Sequence, residues 1–145
     1  MAQASAYPQT RYQPSPLVDL ASKSERERLS PAAIRTFFNV MKRWSIRDED
    51  ARLLLGGVSN GPFYEMKKNP DRVLDVDRLT RISYLIGIFK ALNILYSETL
   101  ADEWVQLPNS NVIFGGETPL AYMTKGGQPA MRVVRTLLDA RRGGM

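Results

Sequence analysis

The last fourteen residues hold four arginines, Arg132, Arg135, Arg141 and Arg142. On a helix, Arg132, Arg135 and Arg142 share one side and form a basic ridge. Arg141-Arg142, followed by Gly143 and Gly144, forms a compact cationic end. Because guanidinium groups bind carboxylates and phosphates bidentately, this pattern fits an acidic or nucleotide-binding cleft. The same arginines also fit a simpler role, since basic side chains in a last helical turn favour the helix macrodipole.

Histidine and cysteine are both absent from the chain. Their absence excludes histidine-based triads, cysteine nucleophiles, Cys/His zinc sites and disulfides. Fifteen aspartates and glutamates remain, without a metal-binding motif, and the glycines of FGGETPL and TKGGQP do not match a phosphate-binding loop. We therefore expect a protein that is not an enzyme and that holds neither a cofactor nor a metal.

A second candidate site lies at residues 48–68, where a short helix, the turn Gly56-Gly57 and another helix are predicted. A helix-turn-helix unit has this order, and the start of its second helix faces the bases of DNA. We expect DNA contacts from the exposed positions of that helix: Ser59, Asn60, Gly61, Tyr64, Lys67 and Lys68. Asparagine reads adenine, while tyrosine and lysine contact phosphates. A generic helical hairpin with a solvated polar face gives the same pattern. Gly61, Pro62 and Glu65 weaken the case for DNA, so any affinity should need a dimer that joins two half-sites.

Capping residues predict the helices that carry these sites. Ser30 and Pro31 are expected to begin a helix that ends near Trp44. Asp75 should cap a helix to about residue 96 whose apolar positions cover more than one stripe, so that it is buried on two sides, between subdomains or in an oligomer. Residues 98–106, 119–125 and 129–142 should form further helices, with Gly126-Gly127 between the last two. Residues 143–145 should be a flexible end.

The chain as a whole fits one modest helical core. It has 145 residues, of which 43% are hydrophobic, and no segment shows the alternation of a strand, so we expect an all-α fold. Residues 1–28 contain three prolines within the first sixteen positions and should be disordered. The longest apolar stretch is twelve residues and no apolar signal segment is visible, so we expect a cytoplasmic protein without a membrane partner. The net charge is +5, and residues 31–70 carry seven basic and four acidic groups, which suggests an anionic partner for that segment.

Several motifs resemble the Xre/MbcA/ParS antitoxin family. They are RLSPAAIRTFF, DEDARLLLGGVSNGPFYEMKK and DRLTRISYLIGIFKAL, followed by Trp104 with LPN, IFGGETPLAYMTKGG and VRTLLDARRGG. The resemblance covers roughly residues 30–145, and the run from Trp104 to Gly144 is its most specific part. In this family an Xre-like helix-turn-helix domain precedes a small helical domain that binds the toxin.

The resemblance implies an antitoxin of a type II toxin–antitoxin system. Its partner would be a RES-domain toxin that consumes NAD⁺, and it would also repress its own operon by binding operator DNA, as a homodimer or in a higher assembly. The toxin contacts implied are Trp104, Arg132, Arg135, Arg141, Arg142, Gly143 and Gly144, with the terminal residues plugging the cleft of the toxin. Residues 29–96 would bind DNA and dimerise, and residues 97–145 would bind the toxin. The alternative is a stand-alone transcriptional regulator whose C-terminal domain only dimerises.

Overall fold

The computed structural model describes residues 18–144, which contain six α-helices, two 3₁₀-helices and no strand. The α-helices are α1 (Lys23–Arg43), α2 (Asp48–Leu54), α3 (Asn60–Lys68), α4 (Val76–Leu95), α5 (Glu98–Glu103) and α6 (Pro119–Gly144). The 3₁₀-helices are Trp104–Gln106 and Val112–Phe114. The predicted all-α fold is confirmed. Residues 1–17 of the segment predicted to be disordered lie outside the described residues.

The first helix begins earlier than the sequence predicted. α1 starts at Lys23, so the predicted disorder of residues 23–28 is wrong. The Ser22 hydroxyl caps the helix by accepting from the Glu25 N–H, and Glu25 pairs with Arg28 at 2.7 Å. Pro31 therefore lies inside the helix, where it removes one backbone hydrogen bond, instead of at its start.

Ser30 is a buried link between two parts of the chain, not the helix cap that the sequence suggested. Its hydroxyl donates to the Arg26 carbonyl at 2.6 Å and accepts from the Leu74 N–H at 2.9 Å. The residue is fully buried. This hydroxyl satisfies a buried backbone donor 44 residues away, so it fixes the segment that leads into α4 against α1.

α4 is the central helix of the fold. Asp75 caps it as predicted, since its carboxylate accepts from the Arg78 N–H at 2.8 Å. The helix packs against both α1 and α6, so two helices of the same chain bury its two apolar sides. A single hydrophobic core runs from Ile34 to Leu138 and crosses the expected domain boundary at residue 96. The expected boundary at residue 96 therefore does not separate two hydrophobic cores.

The last helix is kinked where the sequence predicted a break. Thr118 caps it by accepting from the Ala121 N–H at 3.0 Å, and Pro119 is its first residue. Gly127 has φ 68° and ψ −150°, a conformation open to glycine, and helical geometry resumes afterwards. The helix then continues to Gly144, so the prediction of a flexible end is wrong for Gly143 and Gly144.

Residues 18–144 were searched for membrane-spanning helices and for metal-binding groups of side chains. No helix in this range combines the length and apolar character needed to cross a membrane. Nor does this part of the chain bring together three or more acidic side chains in a group suited to a metal ion.

Candidate functional sites

The second half of α6 presents its arginines from a rigid helix. Its inner face is buried and consists of Ala130, Met131, Val134 and Leu138. These side chains anchor the helix in the core, so the outer positions project in fixed directions. Among them, Arg132, Arg141 and Arg142 are exposed and Arg135 is half-buried.

Arg135 lies in the seam between α6 and α4. Its Nε donates to Asp139 at 2.9 Å, and a Cβ added at Gly87 of α4 would collide with its guanidinium group. The absence of a side chain at Gly87 thus makes room for the arginine. Arg135 is held by the fold, and it is less available to a partner than the other arginines of α6.

Arg141 and Arg142 lie in the last turns of α6. Arg141 Nη1 donates to the Tyr96 hydroxyl at 3.1 Å, and Arg142 Nη1 lies 3.7 Å from Asp139 Oδ1. Gly143 and Gly144 complete the same helix. The cationic end is therefore presented by a helix, not by an extended tail. Both arginines remain exposed, with donors left over for a partner.

Trp104 belongs to the core beneath this surface. It is 6% exposed and meets Phe114 edge-on, with ring centroids 6.1 Å apart. Phe114 in turn meets Tyr122 of α6 at 5.3 Å. This aromatic stack ties the loop between α5 and α6 to α6. Trp104 is therefore a core residue and has little area to offer a partner.

A shallow cleft beside Arg132 was not predicted. It has a volume of about 460 Å³, and its lining comes from α4 and from the start of the second half of α6: Tyr84, Gln128, Pro129, Arg132, Val133 and Thr136. Residues 128, 132 and 136 follow a spacing of four, which was the sequence signal for a shared polar face. The cleft extends the basic surface of α6 with an apolar part, since Val133 is 41% exposed.

The α2–α3 pair has the predicted turn between its helices. Gly56 and Gly57 take φ values of 94° and 87°, which side-chain-bearing residues rarely adopt. Ala51 and Val58 are buried beneath the turn. The six candidate DNA-binding residues are all exposed. Ser59 occupies the N-cap position of α3, but its side chain makes no capping hydrogen bond.

The outer side chains of α3 are bound to α2. The Tyr64 hydroxyl donates to Asp48 Oδ2 at 3.0 Å, and Lys67 Nζ lies 3.2 Å from Asp48 Oδ1. Arg52 donates to the side-chain oxygen of Asn60. Asp48 was not among the predicted site residues, because it lies 16 and 19 residues from its partners and no local spacing connects them.

The α2–α3 pair carries no net charge. Between residues 47 and 68 there are four basic groups (Arg47, Arg52, Lys67, Lys68) and four acidic groups (Asp48, Glu49, Asp50, Glu65). The excess of positive charge in residues 31–70 therefore lies on α1. The expected basic character of the DNA-binding surface rests on the placement of Lys67 and Lys68, not on its total charge.

We expect Asp48 to make folding stability depend on pH at the acid end. Burial raises the pKa of Asp48, but hydrogen bonds from Lys67 and Tyr64 and the charges of Lys67 and Arg52 outweigh it, so its pKa lies below the ordinary value. The carboxylate thus stabilises the fold above the unfolded-state pKa of about 4, and this contribution is lost as the pH falls through the folded-state pKa. Because the pair is exposed, the contribution is at most about 1 kcal/mol.

Urea unfolding of the wild type and of Asp48→Asn between pH 2.5 and pH 6 measures this contribution. The wild type should be more stable near pH 6, and the difference should vanish at the lowest pH. Glu49→Gln is the matched control, since it removes the neighbouring charge. An Asp48→Asn protein as stable as the wild type at pH 6 would contradict a stabilising role.

Comparison with known proteins matches the C-terminal part of the chain to a family model. The model describes the antitoxin Xre/MbcA/ParS C-terminal toxin-binding domain and covers residues 91–144. The chain is also similar to the uncharacterized protein y4oB of Sinorhizobium fredii strain NGR234, with 36% identity over 115 residues, which is 79% of this chain and 87% of that protein. No solved structure matches the chain significantly.

Proposed function

We propose that this chain, whose residues 91–144 match the toxin-binding domain of Xre/MbcA/ParS antitoxins, neutralises a RES-domain enzyme that consumes NAD⁺. The antitoxin role itself follows from the toxin-binding domain at residues 91–144. The observation that carries the finer proposal is the pair of exposed arginines, Arg141 and Arg142, at the end of a rigid helix. NAD⁺ is the substrate of the toxin, and this chain is not expected to bind it.

Occlusion of the toxin's active site is the mechanism that this surface supports. Guanidinium groups bind carboxylates bidentately, so two exposed arginines would complement acidic side chains in the toxin's active-site cleft. The helix end supplies two guanidinium groups next to two glycines, whose lack of side chains permits close approach. Arg132 and the cleft around it would extend the contact along α6. Arg135 and Trp104 would position this surface from within the fold.

Co-purification with the product of the neighbouring gene tests the proposal. We expect a stable complex, and we expect the purified partner to consume NAD⁺ until this chain is added in stoichiometric amount. A partner that binds but leaves NAD⁺ intact would exclude a NAD⁺-consuming toxin and keep the antitoxin role.

Operator binding by α3 is the second part of the proposal. The support is the pair of short helices joined by a glycine turn, with Asn60, Lys67 and Lys68 exposed on the second helix. A net-neutral helix pair binds DNA weakly, so we propose a homodimer, or a higher assembly with the toxin, that brings two pairs to adjacent half-sites. Operator DNA and NAD⁺ are both found in the cytoplasm, where we place the chain.

Replacing Asn60 and Lys67 with alanine should abolish the salt-sensitive binding of DNA from upstream of the gene. A bidentate base contact contributes about 1–3 kcal/mol and a phosphate contact adds to it, so the expected loss in affinity is on the order of a hundredfold. A gel-shift titration at two salt concentrations measures this loss. Asn39→Ala with Lys42→Ala removes the same groups from α1 and should have little effect. Unchanged binding by the α3 variant would show that α3 does not face DNA.

A stand-alone regulator remains the alternative function. In that case the C-terminal domain would only dimerise, and no toxin gene would lie beside this one. The match to a toxin-binding domain favours the antitoxin. A RES-domain reading frame next to this gene would support the first function, and its absence would support the second.

A further inference from the structure

Asp48 of α2 contacts two side chains of α3, Tyr64 and Lys67, that are candidates for binding DNA phosphates. We propose that Asp48 is an internal substitute for phosphate, which holds Tyr64 and Lys67 in place in the free protein and must be displaced when DNA binds. The inference rests on the proposed operator binding by α3. It assigns to an acidic residue of α2 the control of affinity at that surface.

The contacts of Asp48 are those that a phosphate would make. One carboxylate oxygen accepts from the Tyr64 hydroxyl at 3.0 Å, and the other lies 3.2 Å from Lys67 Nζ. Hydroxyl and ammonium groups are also common donors to DNA phosphates. Since both donors already have an anionic partner on the protein, a phosphate must compete with Asp48 for them.

The surroundings of Lys67 restrict where its ammonium group can lie. Lys67 Nζ is 5.8 Å from the ring centroids of Phe38, Phe63 and Tyr64, within the range of cation–π attraction. The lysine is thus held between aromatic rings and the Asp48 carboxylate. Losing the carboxylate would leave the ring contacts in place, so Lys67 should stay near its present position and become available to phosphate.

Asn60, another candidate DNA contact of α3, is also held by a residue of α2. Arg52 of α2 donates to the side-chain oxygen of Asn60, so this amide has only its NH₂ group and one lone pair of the oxygen free. Asn60, Tyr64 and Lys67 therefore already have partners on α2 before any ligand arrives. This arrangement should lower the affinity for DNA in general and favour sequences that repay the displacement of both contacts.

The neighbouring acidic residues provide a matched control. Asp50 pairs with Arg47 at 3.2 Å and has its own partner. Glu49 is exposed, makes no ion pair within the part of the chain that the structure describes, and carries the same charge as Asp48 one residue away. Neutralising Glu49 changes the general field at the surface, whereas neutralising Asp48 also frees Tyr64 and Lys67.

The test is a titration of duplex DNA from upstream of the gene with the wild type, Asp48→Asn and Glu49→Gln at low salt. We expect Asp48→Asn to lower the Kd for DNA about tenfold. This factor corresponds to the free energy of one weak ion pair plus the loss of repulsion between the Asp48 carboxylate and a DNA phosphate. Glu49→Gln should lower the Kd less than about threefold, since screening limits a distant charge. In a Lys67→Ala background the gain from Asp48→Asn should largely disappear, because the competing donor is gone. Thermal unfolding of each variant checks that the fold is kept.

The outcomes distinguish the substitute-phosphate role of Asp48 from the proposed binding of DNA by α3. Equal gains for Asp48→Asn and Glu49→Gln would overturn the substitute-phosphate role and leave operator binding standing. No binding by any variant, Asp48→Asn included, would overturn both, while inhibition of the toxin would be unaffected. Binding by Asp48→Asn alone, with none by the wild type, would support the substitute-phosphate role and would show that Asp48 prevents binding in the wild type.

Discussion

Deleting residues 141–145 should lower the affinity for the toxin by at least about a hundredfold and leave the helical fold intact. The two arginines removed are exposed, and charge-assisted hydrogen bonds to an anionic cleft contribute about 1.5–3 kcal/mol each. Among the residues that the structure describes, they make only the bond from Arg141 to Tyr96 and the loose pair of Arg142 with Asp139. Such surface contacts contribute at most about 1 kcal/mol each to folding.

Calorimetric titration of the purified toxin measures this loss, and inhibition of NAD⁺ consumption follows it in parallel. Circular dichroism should show the helical content unchanged apart from the last turn. Arg28→Gln with Arg35→Gln removes the same charge from the exposed side of α1, and this control should bind the toxin like the wild type. Full neutralisation by the truncated chain would overturn the plug model and transfer the contact to Arg132 and its cleft.

Trp104→Ala should destabilise the fold by about 3–5 kcal/mol, the range found when large buried aromatic side chains are truncated. Trp104 is 6% exposed and packs on Phe114, so the loss comes from a cavity beneath the C-terminal surface. Toxin binding should fall with the folded fraction and recover at low temperature, where more of the chain is folded. Trp104→Phe should cost less, because it keeps the ring contact with Phe114.

Urea unfolding gives the free energy for each variant, and toxin titration at two temperatures separates stability from contact. Val112→Ala is the matched control in the same loop, since Val112 is 86% exposed and its change should stay within about 0.5 kcal/mol. If Trp104→Ala were as stable as the wild type and still failed to bind, Trp104 would be a direct toxin contact and its structural role would be wrong.

Local chemistry explains the predictions that the structure confirms. The cap at Asp75, the turn at Gly56 and Gly57, and the break near Gly127 each depend on a few neighbouring residues. A side chain that caps a helix accepts from an N–H two or three residues away, and φ values near 90°, as at Gly56 and Gly57, strongly favour glycine. Such features are readable from the printed sequence.

The predictions that failed depended on partners that are distant in sequence. Serine is a common helix-capping residue, and Ser30 was predicted to cap the first helix. Its hydroxyl instead accepts from the Leu74 N–H, 44 residues later, and α1 runs through Ser30. This contact does not follow from periodicity, because it depends on where α1 meets the segment that leads into α4.

The sequence alone determined the helical class, most helix boundaries, the lack of histidine and cysteine chemistry, and the arginines at the C-terminal end. Tertiary structure alone decided which of those arginines is available. Arg135 lies over Gly87 and pairs with Asp139, whereas Arg141 and Arg142 stay exposed. It also brought Asp48 to Tyr64 and Lys67. Helix capping is a local property of the chain, but the exposure and pairing of a charged side chain depend on the elements that pack around it.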